Sequence, residues 1–329
     1  MKRSLREYGL TRPACLIGAS IMIASLVAGP VQAADKFPTK AIQIVTHAGA
    51  GGGTDVSVRM TILKARRYLK QDIVVVSKQG GSGAVAINYV CSRPADGYTL
   101  MAVTPTHLAT MAQGKTKCKF EDFVPLVRMT DDPQYLMVKK GKYASAKAMI
   151  EAAQKGNLKV GGTNVGGIDQ ISIATFAKKT PGGFHYTYVP YKGGAHIATA
   201  LIGGDIDVGI LNYSEGASQI QAGEIEPLVV MAKTRKKITP DTACSYELGV
   251  KVVESTVRGI VVKKGTPEDR LKILDKDLLK SMHSDVYGAF LKSVGLGADS
   301  VAGPKEWGEQ WAEMNTDTKE ALKDLGFIK

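Results

Sequence analysis

Short apolar runs alternate with amphipathic stretches along most of the chain. Ile42–Val45, Ile73–Ser77 and Tyr98–Val103 are rich in β-branched or apolar residues and predict buried strands of a parallel sheet. Each of the first two is followed by a glycine-rich turn and a stretch with helical spacing. Because strands that alternate with helices form right-handed crossovers, the pattern predicts an α/β fold with mainly parallel sheets flanked by helices.

The same alternation returns in the second half of the chain. Between Gln113 and Pro133 the periodicity loosens, which predicts a loop leading into a second domain that begins with the strand Tyr135–Val138. The chain has 329 residues, of which 44% are hydrophobic, and such a length favours two domains over one. We predict lobe I from residues 34–130 and 232–329 and lobe II from residues 131–231.

Each predicted lobe contains one glycine-rich turn between a strand and a helix. Gly49–Arg59 spells GAGGGTDVSVR, and Gly161–Asp169 has the same character. A strand, a glycine turn and a helix N-terminus together aim free N–H groups at one point, which favours an anion. The alternative for each is a tight turn that binds nothing. Thr54 or Asp55 is the predicted N-cap of the first helix, and Asp169 that of the second.

The N-terminus predicts a cleaved signal peptide over residues 1–33. Four basic residues precede the uncharged apolar stretch Ala14–Gly29, and Val31-Gln32-Ala33 supplies small residues where a signal peptidase cuts. A retained membrane anchor is the alternative, but 16 apolar residues ending in Gly29-Pro30 are short for a span. The mature chain is therefore expected to be exported.

Charge and cysteine content narrow the function further. Removing four of the 43 basic and one of the 31 acidic residues with the signal leaves 39 against 30, a formal charge of +9. The basic residues are scattered without interleaved aromatics, so no nucleic-acid partner is expected. The mature chain keeps Cys91, Cys118 and Cys244, which allow one disulfide and one thiol in an oxidising compartment. Cys91 with Cys118 is preferred by proximity alone.

Several kinds of chemistry are excluded by spacing. Thr54 stands where a dinucleotide-binding turn needs its third glycine, and Lys78 stands where it needs an acid. No Walker sequence, nucleophile elbow or metal-ligand spacing occurs, and the five histidines are well separated. We therefore expect no cofactor, no metal and no catalytic residue. His47 borders the first glycine turn and is either a cleft residue or a packed one.

A set of short motifs in order along the mature chain carries a family resemblance. They are Phe37-Pro38-Thr39-Lys40, Gly51–Asp55, Asp96–Leu100, Phe123-Val124-Pro125, Val189–Gly193, Leu201–Val208 and Gly265-Thr266-Pro267. With these motifs the chain resembles the solute-binding receptors of tripartite tricarboxylate transporters, the Bug-type periplasmic proteins. The resemblance implies a periplasmic, two-lobed binding fold (type II-like) with the ligand cleft between the lobes.

The resemblance also implies a function and a site. The protein would be a non-enzymatic receptor that holds a small organic carboxylate mainly by backbone N–H groups. It would deliver this solute to the membrane permease subunits of the transporter, and we expect it to be a monomer. Carried over, the ligand-binding residues are His47, Gly51, Gly52, Gly53, Thr54, Asp55, Thr104, Thr106, Asn164, Gly166, Gly167, Ile168, Asp169, Asn212 and Arg258.

The chain also departs from the family pattern, and two other functions stay open. Thr46–Ala50 replaces the Pro-Phe-Ala-Pro of many relatives, and Gly167 and Gln170 replace Ser and His. Arg258, beside a predicted strand, either meets a ligand carboxylate or lies on the surface. The alternatives are a sensory module that presents its ligand to a membrane sensor, and an exported hydrolase with Asp55 and Asp169 as its acid and base.

Overall fold

The computed structural model describes residues 36–329, so the predicted signal peptide lies outside the described residues. Within this range no helix has both the length and the apolar content that crossing a membrane requires. The strands are β1 Ile42–Thr46, β2 Ile73–Ser77, β3 Thr99–Val103, β4 Phe123–Lys139, β5 Leu158–Thr163, β6 Tyr186–Tyr191, β7 Val208–Asn212, β8 Ile225–Val230, β9 Ala243–Cys244 and β10 Ser255–Lys263. The helices are α1 Gly53–Leu69, α2 Ala84–Cys91, α3 Pro105–Ala112, α4 Ala146–Lys155, α5 Ile168–Lys179, α6 Gly194–Gly203, α7 Tyr213–Gln221, α8 Glu268–Met282, α9 Asp285–Ser293 and α10 Pro304–Asp324.

The ten strands form one hydrogen-bonded series in the order β2-β1-β3-β10-β4-β7-β5-β6, with β8 and β9 attached through β4. β1 pairs in parallel with β2 and β3, and β5 pairs in parallel with β6 and β7. These two parallel groups are the predicted α/β units. The strands between them, β10 and β4, are antiparallel to their neighbours, so the sheet as a whole is mixed.

Strand β4 is longer than the sequence predicted. The expected loop up to Pro133 was wrong, because the strand begins at Phe123 and runs for 17 residues. Residues 123–133 pair with β10, and residues 134–139 pair with β7 and β8. Asp131-Asp132-Pro133 has poor strand propensity, but β10, more than 100 residues downstream, supplies the partner that overrides it. Pro133 lies opposite Ser255, where β10 begins, and the N–H of Gln134 still donates to the carbonyl of Glu254 at 2.9 Å, so the missing N–H of Pro133 does not interrupt the pairing.

Buried apolar side chains of residues 36–329 form five clusters, and two of them include residues from the opposite ends of this long strand. The first joins β1, β3 and β10 to α1 and α8, with Ile44, Val58 and Leu274 fully buried. The second joins β5 and β7 to α4 and α5, with Met149 and Phe176 fully buried. Burial of such side chains is the main favourable term in folding. Each glycine turn is therefore anchored on a core of its own.

The disulfide expected from proximity is present. Cys91 and Cys118 are bonded, with their Cα atoms 6.1 Å apart, and they fasten the end of α2 to the loop before β4. Cys244 is a buried free thiol. A disulfide that closes a loop of this length restricts the unfolded chain and is typical of proteins that fold in oxidising compartments.

Gly259 in β10 offers a test of the packing between this strand and helix α10. An added Cβ would collide with the ring of the fully buried Trp307. We predict that Gly259→Ala lowers the free energy of unfolding by about 1–3 kcal/mol, because the ring has to shift in a filled core. The matched control is Gly288→Ala in α9, where an added Cβ meets open space; it should raise stability by about 0.5–1 kcal/mol. Urea unfolding measures both, and an unchanged Gly259→Ala would contradict the described packing.

Candidate functional site

The first glycine turn lies at the carboxyl end of β1. Helix α1 begins at Gly53 with Gly52 as its N-cap, and Gly51 takes a positive φ of 79° that only glycine adopts readily. The N–H groups of residues 53–55 donate to no acceptor among residues 36–329. The first turn of α1 therefore keeps its orphan donors, as an anion-binding helix terminus requires.

Asp55 does not cap α1, and neither does Thr54, so the predicted cap was wrong. Asp55 is the third residue of the helix, and its Oδ2 accepts the N–H of Gly51 at 3.0 Å and Nε of Arg59 at 2.8 Å. Burial raises the pKa of Asp55, but the hydrogen bonds from Arg59 and Gly51 outweigh it, so the pKa is lowered. The carboxylate thus closes the glycine turn from within the helix.

The second glycine turn has the same construction at the end of β5. Helix α5 begins at Ile168 with Gly167 as its N-cap, so the predicted cap Asp169 is again inside the first turn. Its Oδ2 accepts the backbone N–H of Thr163 at 2.7 Å, and its Oδ1 accepts Nε2 of Gln134 at 2.9 Å. Burial and the charge of Glu215 raise the pKa of Asp169 to about 6.

Both aspartates are thus engaged by the chain itself, which disfavours the acid and base pair of the hydrolase alternative. The N–H groups of Asp169 and Gln170 donate to no acceptor within the described range. Asn164, with a positive φ of 50°, and Gly166 shape the turn before them.

Helix α3 connects the two turns. Thr104 is its N-cap, and Oγ1 of Thr106, in its first turn, accepts the N–H of Ile168 at 3.4 Å. At the other end of the helix, Nε2 of Gln113 donates to the carbonyl of Gly166 at 3.4 Å. Gln113 was missed because it lies where the predicted periodicity of the sequence loosens. The structure therefore brings α3 of the first half against the second glycine turn.

Arg258 of β10 links the first turn to the end of β7. The residue is only 3% exposed, so an Arg258 on the surface, one of the two alternatives, was wrong. Its Nη1 donates to Oδ2 of Asp132 at 3.0 Å and its Nη2 to Oδ1 of Asn212 at 2.9 Å. A Cβ on Gly53 would lie 2.7 Å from Nη2, so glycine at this position lets the guanidinium rest against the start of α1.

A polar floor extends from Arg258 across three strands. Thr256 pairs with Asp132, and Gln134 pairs with Asn212, so these residues share one face of β10, β4 and β7. Burial raises the pKa of Asp132 to about 7 against the opposing charge of Arg258. Asp132 was missed from the sequence because it lies in the segment predicted as a loop, and Gln134 because it stands between that segment and the strand predicted from Tyr135.

His47, which is half-buried, and His107, which is fully buried, form a pair of rings beside the first turn. Their ring centroids are 4.4 Å apart and the rings are perpendicular. Burial and the charge of Arg258 lower the pKa of His47 to about 4, and burial lowers the pKa of His107 well below its ordinary value. Nδ1 of His107 accepts the N–H of Thr104 at 3.0 Å. Both rings are therefore neutral at pH 7. Separately, no group of three potential metal ligands occurs in residues 36–329.

Solved structures of known proteins have the same fold as this chain. A TctC solute-binding protein from Polaromonas, solved without ligand, is 26% identical with a TM-score of 0.71, over 88% of this chain and 99% of that one. R. palustris Rpa4515, solved with adipate, is 26% identical with a TM-score of 0.79, over 88% and 98%. The predicted fold class is confirmed: the protein has the α/β fold of the two-lobed periplasmic binding proteins.

The family follows from sequence. The model of the family described as "Tripartite tricarboxylate transporter family receptor" matches residues 57–319. Protein BugT of Bordetella pertussis is 27% identical over 84% of this chain and 86% of its own length. The chain belongs to the tripartite tricarboxylate transporter receptor family, as the resemblance implied.

The buried ring of His107 predicts a pH dependence of stability. Because the pKa of His107 is lowered in the folded state, the unfolded chain takes up a proton below about pH 6.5 that the folded chain does not, and stability falls as the pH falls. His107→Asn keeps an acceptor for Thr104 and should reduce the loss between about pH 6.5 and about pH 5 by roughly 1–2 kcal/mol.

Urea unfolding at the two pH values measures this difference. The control is His283→Asn, which removes an exposed histidine and should follow the wild type. If His107→Asn follows the wild type as well, the buried ring is not the source of the acid sensitivity.

Proposed function

We propose that this chain is a periplasmic receptor that captures a small organic carboxylate between two lobes. The observation that carries the proposal is the contact of Arg258 with the N-terminus of α1, beside a polar floor whose Gln134 donates to Asp169 of the second glycine turn. The residues proposed to bind the solute are those carried over from the family, with the N–H groups of residues 53–55, 169 and 170 as the main donors.

Electrostatics favours an anion at this point. Each helix N-terminus contributes about 0.3–1 kcal/mol toward a negative charge, so two termini alone hold a solute weakly. Arg258 adds a full positive charge beside the α1 terminus, and its Nε is buried with no partner among the described residues. A carboxylate could accept from Nε and from the free N–H groups together, which removes the cost of leaving them unpaired.

The comparisons support this class of solute. Rpa4515 was solved with adipate, a dicarboxylate, and this chain matches nearly all of that protein. The family is defined by its role as the receptor of tripartite tricarboxylate transporters. The same proposal includes delivery to the permease subunits, a monomeric state and the absence of enzymatic activity. Export to the periplasm is supported by the disulfide between Cys91 and Cys118.

The proposed motion is a hinge closure of the two lobes. The boundary proposed at residues 130 and 131 falls within β4, close to where its partner changes from β10 to β7 at Gln134. Lobe I would comprise residues 34–130 and 232–329, and lobe II residues 131–231. Closure about such a crossing would bring the two glycine turns together on the solute and exclude water.

A screen of mono-, di- and tricarboxylates on the purified mature protein tests the solute class. A carboxylate present at about 100 times its Kd should raise the free energy of unfolding by about 2.7 kcal/mol. The shift in melting temperature reports this stabilisation. If sugars or divalent cations stabilise the protein and no carboxylate does, the proposal fails.

Gly53→Ala tests the place of binding. The added methyl group would push the guanidinium of Arg258 away from the start of α1, and we predict that affinity for the stabilising carboxylate falls at least about tenfold. The control is Gly49→Ala, whose methyl group would make only ordinary contact with Gln79, 3.4 Å away. Isothermal titration measures both variants, and equal affinities would place the carboxylate elsewhere.

A further inference from the structure

Two buried acceptors in the polar floor have no donor among residues 36–329. Asp132 is 2% exposed and its Oδ1 has no hydrogen-bond partner among the described residues; Gln134 is 1% exposed and the same holds for its Oε1. Buried acceptors are normally paired, and leaving them unpaired costs stability. Each side chain is held in place through its other atoms, so the free oxygens have fixed positions.

These acceptors lie among the proposed binding elements. Oδ2 of Asp132 accepts from Arg258, and Nε2 of Gln134 donates to Asp169 in the second glycine turn. The unpaired donors that we propose for the anion are the N–H groups at the starts of α1 and α5 and Nε of Arg258. The floor thus presents unpaired acceptors beside unpaired donors, and a solute that carries only acceptors would satisfy one set and not the other.

The charged groups around the polar floor also favour a solute that carries a cationic group. Arg258 is the guanidinium in contact with the floor, whereas Asp132, Asp169 and Glu215 bring three carboxyl groups to it, and the charge of Glu215 raises the pKa of both aspartates. Glu215 accepts the N–H of Asn212 at 3.0 Å and is thereby fixed nearby. A plain dicarboxylate would add two more negative charges, whereas a cationic group on the solute would offset the excess.

We propose that the solute is an amino-substituted carboxylate, whose carboxylate is held by the helix N-termini and Arg258 and whose ammonium group donates to Asp132 Oδ1 and Gln134 Oε1. This assignment rests on the proposed function and narrows it to one solute class. The dipolar arrangement of donors and acceptors, with Arg258 and Asp132 adjacent, is complementary to a zwitterion. A site built to pair a donor rejects an analogue without that donor, because its buried acceptors then stay unpaired.

Matched series of solutes test the proposal on the wild-type mature protein. Propionate, lactate and alanine share one skeleton; succinate, malate and aspartate share a second; glutarate, 2-hydroxyglutarate and glutamate share a third. Isothermal titration gives a Kd for each. In the series that fits the site, the amino member should bind at least tenfold more tightly than the other two.

The outcomes separate this proposal from the proposed function. If a hydroxy or unsubstituted member binds as tightly as its amino counterpart, the amino-carboxylate assignment is overturned and the carboxylate receptor stands. If no member of these series binds and no other carboxylate does, both fail.

Asp132→Asn adds a test of the residue itself. It keeps the shape of the side chain and removes its charge, so the preference for the amino member over the unsubstituted one should fall to threefold or less. The matched control is Asp131→Asn, because Asp131 adjoins Asp132 on β4 but its side chain contacts Ser255 and Gln310, away from the floor. It should keep the full preference. A preference that survives in a folded Asp132→Asn overturns the role given to Asp132.

Discussion

The site depends on one buried interaction, the contact of the Arg258 guanidinium with Asp132, Asn212 and the backbone at Gly53. A guanidinium with so little exposure is stable only where its charge is paired and its donors are used. Asp132 supplies the charge and Asn212 a second acceptor, while the glycine allows the approach to α1. The interaction joins three strands to one helix start, so the positions of the first turn and the polar floor are fixed together.

The long strand β4 is the scaffold for this arrangement. It pairs with β10 over its first part and with β7 and β8 over its last, so Asp132 and Gln134 stand where the two halves of the sheet meet. Thr106 and Gln113 of α3 reach the second glycine turn from the first half. These contacts explain how residues far apart in sequence form one polar cluster.

The local elements could be predicted from the sequence, whereas long-range pairing could not. β1, the glycine turn and α1 follow from an apolar run, four glycines and helical spacing, and the second turn follows in the same way. The helix caps were wrong because glycine took the N-cap positions and Asp55 and Asp169 folded back on the turns from inside the helices. Asp132 and Gln134 were missed because the strand propensity of their segment is poor and only β10 and β7 make it a strand. Arg258 carried no local sign of burial, since its partners come from other strands.

The most direct test of the central claim follows the backbone amides in solution. Amide resonances of isotopically labelled mature protein should be assigned and then followed during titration with aspartate and, separately, succinate. If the account is right, the solute that binds shifts the amide protons of residues 53–55, 169 and 170 most strongly, together with the side-chain Nε–H of Arg258. If the binding solute instead shifts resonances elsewhere and leaves these amides unchanged, the two glycine turns are not the anion site.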